Sequence, residues 1–134
     1  MPNLKKFIYT HAVPLSACWA LVILALCAIP GRYIPETGWM ALLSVDKLAH
    51  AALFFVQGIL VILSALIRYL PRSVLKASFF LGICYGILLE VMQGAVFSER
   101  SMEWQDMVAN TAGLLVAALF HKRLAKAERA YLGL

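Results

Sequence analysis

Four apolar runs separated by short polar segments account for most of the chain. They predict helices at about residues 13–30, 47–68, 74–97 and 104–122. A helix needs about 20 mostly apolar residues to cross a bilayer, and the first three runs reach or approach that length. The fourth run is apolar only over 107–120, and we expect a helical turn at each end to lengthen it. The pattern predicts an all-α fold, an integral membrane four-helix bundle, with residues 1–134 forming a single transmembrane domain.

The composition also indicates a membrane protein. Of the 134 residues, 63% are hydrophobic and 14% are charged, and the mean hydropathy is +0.83. A soluble globular domain is roughly 45–50% apolar and about 25% charged. A bilayer is the solvent that suits so much apolar surface. No nucleic-acid partner is expected, because the basic residues are not interleaved with aromatic residues in a patch and no nucleic-acid motif is present.

The positions of lysine and arginine predict the orientation in the membrane. Cytoplasmic segments carry an excess of these residues. Here they concentrate in the N-terminal tail, in the connection between the second and third runs, and in the C-terminal tail. The cations concerned are Lys5, Lys6, Arg68, Arg72, Lys76, Lys122, Arg123, Lys126 and Arg129. We therefore predict that both termini are cytoplasmic and that the protein is multi-pass.

Polar residues interrupt three of the four runs, near the predicted outer ends of the helices. Ionisable groups inside a membrane are costly and usually face a partner or a cavity. A rise of about 1.5 Å per residue places Glu90 level with His50. We therefore predict a polar pocket that opens to the extracytoplasmic face. Its predicted members are Asp46, Lys47, His50, Glu90, Gln93, Arg100, Asp106 and Asn110.

Structural explanations compete with a functional one at several of these positions. Asp46 is one turn before His50, where it could cap the helix while His50 satisfies a neighbour. Glu90 interrupts a stripe of glycines typical of close helix contacts, and a buried structural ion pair would explain it. Arg100 could bind a carboxylate or phosphate with two hydrogen bonds, or could be solvated.

Two glutamates precede the fourth helix in the same loop as Arg100. Glu99 and Glu103 are expected to be solvated charges at the rim of the bundle.

The same polar residues resemble the VanZ-like family of bacterial membrane proteins. The matching pattern is Asp46-Lys47-x-x-His50, Glu90-x-x-Gln93, Arg100 and Asp106-x-x-x-Asn110-x-x-Gly113. It spans three of the four helices in the family's order, with Ala51 where members often have an aromatic residue. The resemblance implies a location in the bacterial inner (cytoplasmic) membrane and a role at the cell envelope.

The family's namesake is associated with resistance to the glycopeptide teicoplanin, whose target is a cell-wall precursor outside the membrane. Most members come from organisms with no glycopeptide exposure. The resemblance therefore does not make glycopeptide resistance the expected function of this chain.

Two main functions are compatible with the predicted pocket. In the first, the protein binds or remodels a lipid head group or a lipid-linked envelope precursor. The ligand-binding residues would be Asp46, Lys47, Gln93, Arg100 and Asn110. In the second, it is an intramembrane acid/base enzyme acting on a lipid-linked substrate, with His50, Glu90 and Asp106 as candidate catalytic residues.

Two further functions stay open, namely transport, which would need a homo-oligomer, and a structural or assembly role. No cofactor is predicted. A divalent metal held by Asp46, His50, Glu90 and Asp106 is chemically compatible with those ligands. However, the sequence contains no consecutive metal-binding motif to support a metal.

Overall fold

The computed structural model describes residues 2–30, 32 and 45–132, with side chains described except at 2–6, 9, 131 and 132. The predicted cytoplasmic cations Lys5 and Lys6 thus lie outside the described side chains. Over the described ranges the chain is helical and contains no strand, which confirms the all-α prediction. The helices are α1 Pro2–Cys27, α2 Val45–Ile67, α3 Arg72–Ala95, α4 Trp104–Leu119 and α5 His121–Leu132.

Side-chain hydrogen bonds show that α1 and α2 run antiparallel. The Trp19 indole Nε1 donates to the Leu53 carbonyl at 2.9 Å. Earlier in α1, the Ser16 hydroxyl accepts from Gln57 Nε2 at 2.9 Å, so the chain order reverses between the two helices. Gln57 is buried, and this bond satisfies part of a polar group within an apolar helix.

Helix α3 lies parallel to α1. The Tyr85 hydroxyl donates to the Ala20 carbonyl at 2.6 Å, and Gln93 Nε2 donates to the Cys27 carbonyl at 3.2 Å. The second bond satisfies a carbonyl in the last turn of α1, which has no partner within its own helix. The C-terminal ends of α1 and α3 therefore meet at the same end of the bundle as the beginning of α2.

Helices α2 and α4 run parallel and approach each other closely where small residues face. A Cβ atom built on Gly113 would collide with the Ala51 carbonyl oxygen, and it would lie 2.9 Å from the Phe55 nitrogen. Farther along, a Cβ atom on Gly58 would lie 2.5 Å from Cβ of Ala117. The two backbones can be this close only because these positions carry no side chain.

Three helices are long and apolar enough to cross a membrane, judged by length and composition. The spans are Thr10–Cys27, Val45–Ile67 and Arg72–Ala95. Large apolar side chains remain exposed along them, for example Phe80 and Leu81 at 65% each. This apolar exterior supports a membrane protein. Helix α4 has 16 residues, which corresponds to about 24 Å and is shorter than a hydrocarbon core of about 30 Å.

The helix boundaries differ from the predicted ones. Helix α1 begins at Pro2 rather than near residue 13 and ends at Cys27 rather than near 30. The prediction followed only the apolar run, whereas a helix extends through polar residues and here contains Pro14. Helices α2 and α3 each begin two residues earlier than predicted. Pro71 precedes α3, and its φ of −65° suits a helix start.

The predicted helix 104–122 is wrong at its C-terminal end, because α4 ends at Leu119 and α5 begins at His121. At the junction the Phe120 N–H donates to Ala117 O at 2.9 Å, a bond one residue shorter than in an α-helix. The Phe120 ring packs edge-on against Phe55, with centroids 5.7 Å apart. This contact holds the junction against α2.

Basic side chains gather at the end of the bundle where α3 begins and α5 follows α4. A cavity of about 510 Å³ there is lined by Arg72, Leu75, Lys76, His121, Lys122, Ala125 and Arg129. The polar residues of the predicted pocket lie toward the opposite end. This separation of charge along the bundle is the arrangement that the positive-inside rule describes.

Replacing Gly113 by alanine tests the contact between α2 and α4. The new Cβ would meet backbone atoms of α2, which cannot move independently, so we expect a loss of about 1–3 kcal/mol in the free energy of unfolding. Unfolding in detergent, followed by circular dichroism, measures it. Gly82→Ala is the control, because its Cβ would meet only the movable Leu114 side chain, at 3.1 Å. Equal stability of the two variants would contradict the close α2–α4 contact.

Candidate functional site between α2, α3 and α4

Three helices bring their polar side chains together at one end of the bundle. Glu90 on α3 is 0% exposed, and Asn110 and Asp106 on α4 are 1% and 3% exposed. The contacts described below define a polar cluster. Its members are Asp46, Lys47, His50, Glu90, Glu103, Asp106 and Asn110. The structure therefore assembles six of the eight predicted site residues and adds Glu103.

The imidazole of His50 is at the centre of this polar cluster. Its Nδ1 lies 3.1 Å from Asn110 Oδ1 and 3.6 Å from Glu90 Oε1. Both facing atoms are acceptors, so we assign the proton to Nδ1, which donates to Asn110. Nε2 then carries a lone pair, and it lies 3.8 Å from Asp46 Oδ1 and 3.8 Å from Asp106 Oδ2. Neither separation is a hydrogen bond.

Lys47 is engaged by two carboxylates of the polar cluster. Its Nζ donates to Glu103 Oε2 at 2.8 Å and to Asp106 Oδ1 at 3.0 Å. The contact compensates the buried Asp106 charge. Glu103 was expected to be a solvated rim charge; its side chain is 43% exposed and also forms an ion pair with Lys47. The sequence offered no signal for this pair, because the two residues meet only through the α2–α4 contact.

Asp46 lies within the first turn of α2, which begins at Val45. Its side chain is 54% exposed, whereas that of His50 is 6% exposed. A carboxylate in the first turn also interacts favourably with the helix dipole. Asp46 therefore lies at the solvent-accessible edge of the polar cluster.

Two buried atoms in the polar cluster lack hydrogen-bond partners among the described residues. Glu90 Oε2 is 3.5 Å from the backbone N–H of Glu103, but Glu90 Oε1 has no donor. Asn110 Nδ2 likewise has no acceptor. An unsatisfied buried polar atom typically costs about 1–3 kcal/mol. A free acceptor and a free donor thus remain beside His50.

The other two predicted residues are placed differently. Gln93 is buried and donates to the Cys27 carbonyl of α1 rather than to the polar cluster. Arg100 is half-buried in the loop before α4 and is near enough to Glu90 to interact electrostatically. In the described part of the chain its guanidinium has no ion pair or side-chain hydrogen bond. Arg100 is thus a cation beside the polar cluster that is not neutralised by a direct contact.

Glu99, in the same loop as Arg100, and the described cavities do not belong to the polar cluster. Glu99 forms an exposed ion pair with Arg32 at 3.5 Å. A second cavity, of about 270 Å³, lies between the early part of α1 and the end of α2, with Thr10 and Arg68 in its lining.

Comparisons with protein-family models, with curated proteins and with solved structures found no match. The geometry of the polar cluster is therefore the basis for assigning a function. The resemblance to the VanZ-like family stays a prediction.

Replacing Lys47 by methionine tests the ion pairs of the polar cluster. The change leaves Asp106 buried without its cation, so we expect a loss of about 1.5–3 kcal/mol in the free energy of unfolding. Adding Asp106→Asn should recover part of that loss, because the uncompensated charge is removed. Chemical unfolding in mixed micelles measures all three proteins.

Glu99→Gln is the matched control for this series. It removes a carboxylate from an exposed ion pair, and such changes stay within about 0.5 kcal/mol. Additive effects of Lys47→Met and Asp106→Asn would contradict the pairing of these residues.

Proposed function

We propose that this chain is a VanZ-like, multi-pass protein of the bacterial inner membrane that binds the anionic head group of a lipid or lipid-linked envelope precursor. The observation that carries the proposal is Arg100, a half-buried residue whose guanidinium has no ion pair in the described part of the chain, beside a buried polar cluster. The head group would bind at the predicted extracytoplasmic end of a four-helix bundle with cytoplasmic termini.

The membrane arrangement is supported by the spans and by the separation of charges. Three helices meet the requirements for crossing a membrane. Helix α4 packs between α2 and α3. Its Gly113 contacts α2, and a Cβ atom built on Gly86 of α3 would lie 3.1 Å from Cβ of Asn110 on α4. A helix shielded on two sides needs less lipid-facing length, and α5 continues into a basic, polar segment. We therefore include α4 as the fourth membrane helix.

Arg100, rather than Lys47, is the cation best placed for an anionic head group. The Lys47 ammonium is already held by two carboxylates, and a ligand would have to displace one of them. A guanidinium can give two parallel hydrogen bonds to a phosphate or carboxylate. Lys47 was predicted to bind the ligand. We propose instead that it positions Glu103 and Asp106.

The rest of an amphiphilic ligand also has suitable contacts. Within the described ranges the acceptor Glu90 Oε1 and the donor Asn110 Nδ2 are both unpartnered, and together they complement a hydroxyl group. Ile87, Leu88 and Val91 are exposed on α3 near the same end. Acyl or isoprenoid chains would pack against such a surface while remaining in the bilayer.

An intramembrane acid/base enzyme is the second candidate, and the surroundings of His50 favour it. An imidazole with acceptors on one nitrogen and carboxylates near the other is arranged for proton transfer. In this version Glu90 and Asp106 would orient His50 and exchange protons with it.

Arg100→Gln tests the head-group proposal. Native mass spectrometry of detergent-purified protein should find an anionic lipid retained by the wild type, with occupancy reduced about tenfold or more in the variant. That factor corresponds to about 1.4 kcal/mol, a modest value for a charge-assisted contact. Arg123→Gln is the control, because Arg123 lies at the opposite end, over the Phe120 ring.

Equal lipid retention by the two arginine variants would overturn the proposal. Absence of retained lipid from the wild type, after purification in a mild detergent, would also count against it.

Glu90→Gln distinguishes a functional charge from a structural one. The carboxylate is fully buried, and only one of its two oxygens has a hydrogen-bond donor in the described part of the chain. Removing its charge should therefore leave the free energy of unfolding unchanged or raise it. Thermal unfolding in detergent measures this. A loss of about 1 kcal/mol or more would show that the Glu90 charge stabilises the bundle and would favour a structural role.

A further inference from the structure

The Nε2 atom of His50 lies between two carboxylates without making a hydrogen bond in the described part of the chain. It is 3.8 Å from Asp46 Oδ1 and 3.8 Å from Asp106 Oδ2. The side chains of His50 and Asp106 are 6% and 4% exposed, whereas that of Asp46 is 54% exposed. An imidazole lone pair and two carboxylates repel one another unless a cation lies between them. We propose that Asp46, His50 and Asp106 bind a divalent transition-metal ion.

The distances suit a metal site that needs little movement to form. The three ligand atoms lie within 4.8 Å of one another. With metal–ligand bonds of about 2.0–2.2 Å, neighbouring ligands of a tetrahedral site are about 3.4 Å apart. The two distances from Nε2 to the aspartate oxygens exceed that value by a few tenths of an ångström. Asp46 is exposed at the beginning of α2, so its carboxylate can rotate toward Nε2 and Asp106.

Asn110 supports His50 as an outer-sphere partner of a metal ligand does. Histidines that bind metals usually donate their other ring N–H to a carbonyl or carboxylate, which fixes the ring and the tautomer. Asn110 Oδ1 is 3.1 Å from His50 Nδ1 and accepts that proton. Nε2 is thereby directed at Asp46 and Asp106.

The charge balance of this region also favours a cation. If the imidazole of His50 is neutral, the polar cluster together with Arg100 contains four carboxylates and two cations. The carboxylates are those of Asp46, Glu90, Glu103 and Asp106, and the cations are Lys47 and Arg100. Of the four carboxylates, those of Glu90 and Asp106 are buried, where an unpaired charge is expensive. A divalent ion would neutralise the excess negative charge.

The donor set points to Mn²⁺ or Zn²⁺ rather than to Mg²⁺ or Ca²⁺. Imidazole suits transition metals, whereas Mg²⁺ and Ca²⁺ bind oxygen ligands almost exclusively. Three protein ligands leave at least one position for water. If the proposed head-group function holds, a phosphate oxygen of the ligand could occupy that position.

The experiment uses Mn²⁺ as the probe and needs no lipid. Full-length protein is purified in detergent, treated with a chelator and titrated with Mn²⁺, while electron paramagnetic resonance reports the free ion. We expect saturable binding by the wild type, weakened about tenfold or more by Asp46→Asn, since even outer-sphere partners contribute about 10–100-fold. Glu99→Gln, which removes a carboxylate of similar exposure, should bind as the wild type does.

A second readout identifies the nitrogen ligand and does not depend on affinity. Electron spin-echo measurements on bound Mn²⁺ should show coupling to an imidazole ¹⁴N nucleus that disappears in His50→Gln. His11→Gln and His121→Gln should retain the coupling, because neither residue belongs to the polar cluster.

Unchanged affinity in Asp46→Asn, absence of the nitrogen coupling, or absence of binding by the wild type would overturn the metal site. In those cases a proton on Nε2, shared between the two aspartates, would be the remaining explanation of the geometry. Lipid retention through Arg100 is measured separately, by comparing Arg100→Gln with Arg123→Gln, so the two proposals can fail separately.

Discussion

The close contact between α2 and α4 is the constraint on which the rest of this structure depends. Gly113 places its backbone against Ala51 and Phe55 of α2, at a distance that no side chain would permit. The two helices run parallel, so residues near their N-terminal ends face each other in order. Lys47 meets Asp106 and His50 meets Asn110 as a direct consequence. Without this contact the polar side chains would face lipid or distant water.

The polar cluster is expensive for a small bundle of apolar helices. It buries a histidine, two carboxylates and an amide, and two of its atoms remain unpartnered. Apolar residues would hold the helices together at lower cost, since buried ion pairs are often no more stabilising than well-packed hydrophobic groups. Local unfavourable groups that the rest of the structure tolerates are typical of functional sites.

The head-group and metal proposals divide the site into two parts. In the head-group proposal, Arg100 and the unpartnered atoms of Glu90 and Asn110 would contact the ligand. Asp46 and Asp106 face Nε2 of His50. A cation there would hold His50 in place and would also reduce the repulsion that an anionic head group meets on approaching so many carboxylates.

The all-helical fold and most members of the site follow from the sequence by itself, because each polar residue in an apolar helix must find a partner. Only the tertiary structure decided which partners meet. It paired Lys47 with Glu103, directed Gln93 to α1, and ended α4 at Leu119. Those outcomes depend on helix order, on the α2–α4 distance and on loop geometry, which arise from contacts between residues far apart in the chain and leave no local pattern.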